Sequence, residues 1–196
     1  MLIDFKNIEP IERYKIMSQS ISPRPIAWIV TQGKSLNIAP FSYFSPLSSN
    51  PPALIVSIGH KSDGSPKDTL KNILKTKKCT ICLAAPENLE KMHYSSKEVA
   101  EEISEAEMFK IKTEKIVEGF PPVITETPCA FFCELLQKVD LKGSKTVPLI
   151  LEVKEFYIND SYVTDTHRLL FELDLLGRSG KNYITKCKKI EPPKIP

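Results

Sequence analysis

"IAWIVTQGKSLNIAPFSYFSPLSSNPPALIVSI", residues Ile26 to Ile58, decides the fold class. It holds successive extended runs with no helical pattern between them. Ile26–Thr31 is apolar on both faces and predicts a buried strand. Ala53–Ile58, "ALIVSI", is the next clear strand. Between them, "SLNIAPFSYFSPL" reads as extended but is interrupted by Pro40 and Pro46, which cannot donate to a ladder. That stretch is expected to be bulged or at a sheet edge, with backbone groups near Pro40 left unpaired. Further out, Lys78–Ala84, Ala130–Val139 and Leu149–Ile158 add three more strands. Strands dominate and do not alternate regularly with helices, which disfavours a βαβ sheet. A mainly β chain, folded as a closed or partly open antiparallel barrel with a few flanking helices, fits best.

Two helices punctuate this pattern. Asp68 or Thr69 is placed to N-cap one, with Leu70, Ile73 and Leu74 at i, i+3, i+4 spacing. Ser95-Ser96-Lys97-Glu98 has the capping-box pattern and predicts a second, with Val99 and Ile103 on one face. The 16 prolines gather in connections such as Asn50-Pro51-Pro52 and Phe120-Pro121-Pro122. There is no internal repeat and no linker, so a single domain over residues 1–196 is the expectation.

Bulk chemistry excludes several classes. The net charge of +3, from 27 basic and 24 acidic residues, gives no nucleic-acid signal. Lysines near Lys75, Lys77 and Lys78, and again at Lys186, Lys188 and Lys189, read as solvated faces. No apolar run approaches the ~20 residues of a membrane helix, and "MLIDFKNIEP" lacks the apolar stretch of a signal peptide. A cytoplasmic protein without membrane contact follows. Five cysteines, an odd number in apolar surroundings, suit that compartment. Cys79 and Cys82 have CxxC spacing, but on a strand residues three apart point to opposite faces. Cys129 and Cys133 share a face, yet their α-carbons lie roughly 13 Å apart on a strand. One metal cannot bridge that, so no metal site is expected and the cysteines read as core. GxSxG, HExxH and GxGxxG are absent. His60, His93 and His167 are scattered and read as surface or packing residues.

Three stretches carry candidate chemistry. In "SIGHKSDGSPKDTLKNI", Ser57 to Ile73, a strand ends, a polar loop follows, and a helix starts near Asp68. Free N–H groups and the positive dipole end at a helix start attract anions. Lys67 adds a charge and Thr69 a hydroxyl. This is not a P-loop, because Ser65 and Pro66 stand where Lys and Ser/Thr belong. In "NIAPFSYFSPLSSNPP", Phe41, Tyr43 and Phe44 offer flat apolar surface, while Asn37, Ser42 and Ser45 offer donors and acceptors. A planar heterocycle with a polar edge suits such a stretch. In "SPRPIAWIVT", Pro23 and Pro25 narrow the backbone choices of Ser22 and Arg24, as suits a charge that must be held in place.

Together these stretches resemble the flavin reductase-like, FMN-binding split-barrel family, to which flavoredoxins are related. "SPRPIAWIVT", "LNIAPFSYFSPLSSNPPALIVSIG", "GSPKDTLKNILKTKK" and "MHYSS" occur in that family's order and spacing. "GFPPVITETPCAFFCEL" and "LLGRSGKNY" match more loosely. The resemblance implies an antiparallel split β-barrel of Greek-key type and a homodimer with FMN near the subunit interface. It implies that Ser22, Arg24 and Pro25 border the flavin. Asn37, Ile38, Ala39, Pro40, Phe41 and Ser42 would line its ring, largely through backbone groups. Ser57, Lys67, Asp68 and Thr69 would form the phosphate end. The activity implied is an NAD(P)H-dependent flavin reductase, with NADH or NADPH as donor, a small-molecule or protein acceptor, and no catalytic side chain beyond the flavin's own chemistry. The alternatives are a flavoredoxin-like electron carrier without nicotinamide activity and a non-catalytic flavin-binding protein. Two positions depart from the family pattern: Cys82 stands where an asparagine is usual, and Arg178 and Ser179 separate Gly177 from Gly180.

Overall fold

The computed structural model describes residues 1–186 and Pro192. Cys187, Lys188 and Lys189 lie outside the described residues. The chain opens with helix α1 (Pro10–Ser20). The strands β1 (Arg24–Pro25), β2 (Ala27–Gln32), β3 (Leu36–Phe41), β4 (Phe44–Ser49) and β5 (Pro52–Ile58) follow without a helix between them. Helix α2 (Asp68–Thr76) leads into β6 (Lys78–Leu83). A mainly irregular segment carries α3 (Leu89–Tyr94), the short α4 (Glu105–Met108) and a small ladder of β7 (Thr113–Glu114) with β8 (Val123–Ile124). The long strands β9 (Cys129–Lys138) and β10 (Val147–Ile158) complete the main sheet. A hairpin of β11 (Val163–Asp165) with β12 (Leu170–Phe171) follows, then β13 (Gly177–Ser179) and β14 (Asn182–Ile184).

The main sheet runs β3-β2-β6-β9-β10-β5-β4, and every pairing in it is antiparallel. Its two edges, β3 and β4, are consecutive in the chain, so the sheet curls back on itself and stays open between them. This is an antiparallel split barrel. One core cluster draws Ala27, Ile29, Val56, Ile81, Cys133, Leu149 and Leu151 from strands around the sheet, and α2 adds Leu70 and Ile73. A second cluster lies on the other face of β2, β6 and β9, built on Trp28, Val30, Cys82 and Phe132. Ala84, Met92, Ile111, Val123 and Ile124 cover it. The double-sided burial of β2 is why its sequence is apolar at every position up to Val30. Cys79 and Cys82 fall in different clusters, on opposite faces of β6, and the four described cysteines are free and buried.

The edge reading of "SLNIAPFSYFSPL" holds: it supplies both edge strands, and β4 carries a bulge between Pro46 and Ser48. Pro40 does not interrupt its ladder. It pairs with Trp28 inside an unbroken β2–β3 register from Leu36 to Phe41. Edge position explains this, because a proline there can turn its missing N–H away from the one neighbour the strand has. The N-cap of α2 is Lys67, so Asp68 and Thr69 are its first two helical residues and not caps. The second expected helix is absent: the chain turns irregularly from Ser96 to Ser104. Ser95 instead ends α3, donating from its hydroxyl to the Met92 carbonyl (2.9 Å) and accepting from Trp28 Nε1 (2.9 Å). A buried indole N–H needs such a partner, and that demand outweighs the local capping pattern. Helix α1 was not expected. Of its residues only Ser18 is buried, so it shows no core-facing apolar stripe to read.

Candidate functional site

The small sheet β1-β13-β14 delivers Arg24 to the mouth of a cleft. Arg24 is 6% exposed. Its Nη1 donates to the carbonyls of Ser18 and Ile21 (2.8 Å to the latter) at the C-terminal end of α1, where the Ser18 carbonyl also accepts from the Gly180 amide (2.8 Å). Its Nε and Nη2 are buried and have no partner. Leaving charged donors buried and unpaired is costly, roughly 1–3 kcal/mol per group, so these two nitrogens are the donors that the cleft has to offer. The guanidinium lies 5.8 Å from the centroid of the Tyr43 ring, against which Tyr14 of α1 stacks at 6.2 Å. Burial pushes the Tyr43 phenol above its ordinary pKa, which keeps it neutral. The cleft holds about 340 Å³, lined by Arg24 and Pro25 with Ser42, Tyr43, Ser45 and Ser57 among others. The turn at Ser42–Tyr43 is held by a hydrogen bond from the Ser57 amide to the Tyr43 carbonyl (2.8 Å).

A second recess of about 30 Å³ lies at the start of α2, where Asn37, Ala39, Lys61, Lys67, Asp68 and Thr69 face the segment from Ser95 to Val99. Its charges are already matched. Lys61 Nζ is 2.7 Å from the Asp68 carboxylate, and Lys67 Nζ is 3.4 Å from Glu98. Glu98 also accepts from the Ser62 hydroxyl (2.9 Å) and amide (3.3 Å), which hold its carboxyl below the ordinary value, with Lys67 a smaller cause. The Asn37 amide donates to Thr69 (2.8 Å) and Thr31 (3.2 Å) hydroxyl oxygens, so both Asn37 and Thr69 are turned inward. Glu105 of α4, 4% exposed, accepts from the Ile38 amide (3.0 Å) and thus satisfies the open edge of β3. Burial raises its carboxyl above the usual range.

The residues singled out from sequence therefore separate. Arg24, Pro25, Ser42 and Ser57 share the larger cleft; Asn37, Ala39, Lys67, Asp68 and Thr69 share the smaller recess. Ser57 lines the Arg24 cleft and not the recess at α2, with which the sequence reading had grouped it. Ile38 is core, and its amide is taken by Glu105 and so is not free for a ligand. Phe41 packs on the barrel cluster, Pro40 stands opposite Trp28, and Ser22 is exposed. Glu98 was read only as part of the capping box of a helix that does not form, and Glu105 carried no local signal.

The site is thus an antiparallel split barrel with a buried cation beside an open cleft. Residues 17–172 match the flavin reductase like domain, and the chain belongs to that family. An uncharacterized protein of Aquifex aeolicus is 31% identical over 181 residues, covering 89% of each chain. Nitrilotriacetate monooxygenase component B from Bacillus cereus superposes with a TM-score of 0.88 at 24% identity, covering 98% of both chains. Flavoredoxin of Desulfovibrio vulgaris superposes with a TM-score of 0.74 at 17% identity, covering 87% of this chain and 91% of its own.

Proposed function

We propose that the chain is an FMN-binding oxidoreductase that takes electrons from NADH or NADPH. The observation that carries this is Arg24: a buried cation with two unpartnered nitrogens, beside hydroxyls and an aromatic wall. That is the lining a planar heterocycle with a carbonyl-bearing edge needs. Arg24 would donate to that edge, Ser42 and Ser57 would orient it, and Tyr43 would supply the apolar wall. Ser22 and Pro25 would border it, and Asn37–Phe41 would shape the floor through β3. Lys67, with the amides of Asp68 and Thr69 at the start of α2, would take the phosphate. Bound flavin supplies the hydride and single-electron chemistry. The protein's part is to fix one edge and leave a face open, since hydride donation needs reacting atoms about 3–3.5 Å apart.

The same reading includes one domain over residues 1–196 and a homodimer. Ile11, Tyr14, Met17 and Ile21 of the α1 region and Leu47 of β4 are exposed large apolar groups. Met17 and Ile21 line the cleft, so a second copy would cover it. No helix among the described residues is long and apolar enough to cross a membrane, and the reading places the protein in the cytoplasm. The acceptor is a small molecule or a protein. The test is anaerobic stopped-flow mixing of FMN-loaded protein with each nicotinamide. Bleaching of the flavin absorbance within seconds is expected. A flavin that stays oxidised for many minutes with both, yet yields to dithionite, would replace the reductase by an electron carrier. A purified protein that retains no flavin and takes none up would sink both.

A further inference from the structure

The recess at α2 has a carboxylate in its wall, where an anion site is expected to offer only donors. Glu98 lines it together with Lys61, Lys67, Asp68 and Thr69. The two oxygens of Glu98 are used unequally. Oε2 accepts from the Ser62 hydroxyl (2.9 Å) and amide (3.3 Å), which pins the carboxylate in place. Oε1 has only a long contact to Lys67 Nζ (3.4 Å). A carboxylate oxygen accepts about two hydrogen bonds, so Oε1, the oxygen that faces Lys67, has capacity for another donor.

The surrounding charges leave that capacity for a donor and not for a second anion. Lys61 is 2.7 Å from Asp68, and Lys71 reaches the same carboxylate at 3.4 Å. Lys61 and Lys67 are thus balanced by Asp68 and Glu98 before a ligand arrives. Lys97, next to Glu98, is exposed, and Glu105 of α4 is engaged by the Ile38 amide. Ser62 holds the Glu98 carboxyl below its ordinary pKa, so Glu98 is ionised at neutral pH. A phosphate monoester loses its second proton near pH 6. As a dianion it brings acceptors only and meets Glu98 as a like charge at close range. As a monoanion it keeps one P–OH, and an O–H donor to a carboxylate makes a strong hydrogen bond. Phosphodiesters and sulfate have no such proton near neutral pH.

We propose that Glu98 is a specificity-determining residue: its Oε1 accepts from a phosphate hydroxyl, so the recess selects a terminal phosphate monoester, as its monoanion, over phosphodiesters and sulfate. The proposal rests on the reading that this recess takes the flavin's phosphate. Its test compares wild type with Glu98→Gln by flavin fluorescence at about pH 8 and about pH 5.5, on either side of the phosphate pKa. At the higher pH the variant should bind FMN a few-fold more tightly, because the dianion no longer meets a charge. At the lower pH that gain should disappear or reverse, so the ratio of the two dissociation constants should change by roughly fivefold or more. The ratio for riboflavin, which has no phosphate, and for FAD, whose phosphates have no proton to give, should not move. His60 of the neighbouring loop faces the Lys145 carbonyl and, being common to both proteins, cancels in the ratio. An FMN ratio that ignores pH would overturn the proposal and leave the flavin reading standing. In flavin-free protein at low salt and about pH 6, calorimetric titration should show inorganic phosphate binding roughly fivefold or more tighter than sulfate, a preference that Glu98→Gln removes. Equal binding of the two anions, or binding of neither, would also overturn it. A phosphate preference that depends on Glu98, in a protein that takes up no flavin, would keep this site and sink the flavin reading.

Discussion

The Arg24 cleft and the recess at α2 are both cationic in sequence, yet they are electrostatically opposite. In the cleft, one buried guanidinium keeps two nitrogens unpartnered, and an anion or carbonyl arriving there gains contacts. In the recess, Lys61 and Lys67 are already matched by Asp68 and Glu98, and an incoming phosphate must displace a carboxylate to gain a lysine. The better motif on paper is thus the weaker attractor. A positive charge counts for binding only to the extent that the fold leaves it unspent.

The largest effect follows from the cleft. Arg24→Ala removes at least two charge-assisted contacts of ~1.5–3 kcal/mol each, so flavin affinity should fall by roughly a hundredfold or more. FMN and riboflavin should lose equally, as read by quenching of flavin fluorescence. If riboflavin affinity survives, Arg24 serves a phosphate and the contrast between the two regions collapses. Lys67→Ala should weaken FMN by roughly tenfold and leave riboflavin unchanged, because the proposed reading puts only the phosphate in the recess. Equal losses for both ligands would move the lysine away from the phosphate.

A smaller effect of opposite sign comes from Glu98→Gln. Freeing Lys67 from its carboxylate should tighten FMN by a few-fold, about what an exposed ion pair contributes, and the gain should shrink in high salt. An unchanged Kd across that salt range would mean that Glu98 does not compete for the lysine.

The smallest effect concerns stability. Burial raises the Glu105 carboxyl above its unfolded value, so the native state holds the proton to higher pH than the unfolded chain does. Stability from this residue is therefore lost as pH rises through the native value and regained as pH falls toward the unfolded one. Glu105→Gln keeps an acceptor for the Ile38 amide and removes the titration. The difference between wild-type and variant urea midpoints should shift in the wild type's favour as pH drops from about 7 to about 4.5. A pH-independent difference would show that Glu105 does not titrate in this window.

Much of the barrel was legible because its signals are local. Apolar residues on both faces of β2 required a doubly buried strand, prolines in "NIAPFSYFSP" required edges, and strand geometry put Cys79 and Cys82 on opposite faces. The order of motifs from Ser22 to Thr69 was enough to name candidate residues, but it grouped Ser57 with Lys67 and Thr69, where the fold puts Ser57 in the Arg24 cleft.

What the sequence determined by itself was thus strand period, turn positions and the residue types available for binding, all set by backbone and side-chain constraints a few residues long. What only the tertiary structure decided was which of those groups remain free. Ser95 left its capping pattern for an indole 67 residues away, Ile38's amide went to Glu105 at the same separation, and Lys67 met Glu98 across 31 residues. Hydrogen-bond and charge partners are chosen by burial and proximity in the folded chain. No local pattern contains that choice, and it is why Arg24 was left with two unpartnered nitrogens while Lys67 already faces a carboxylate.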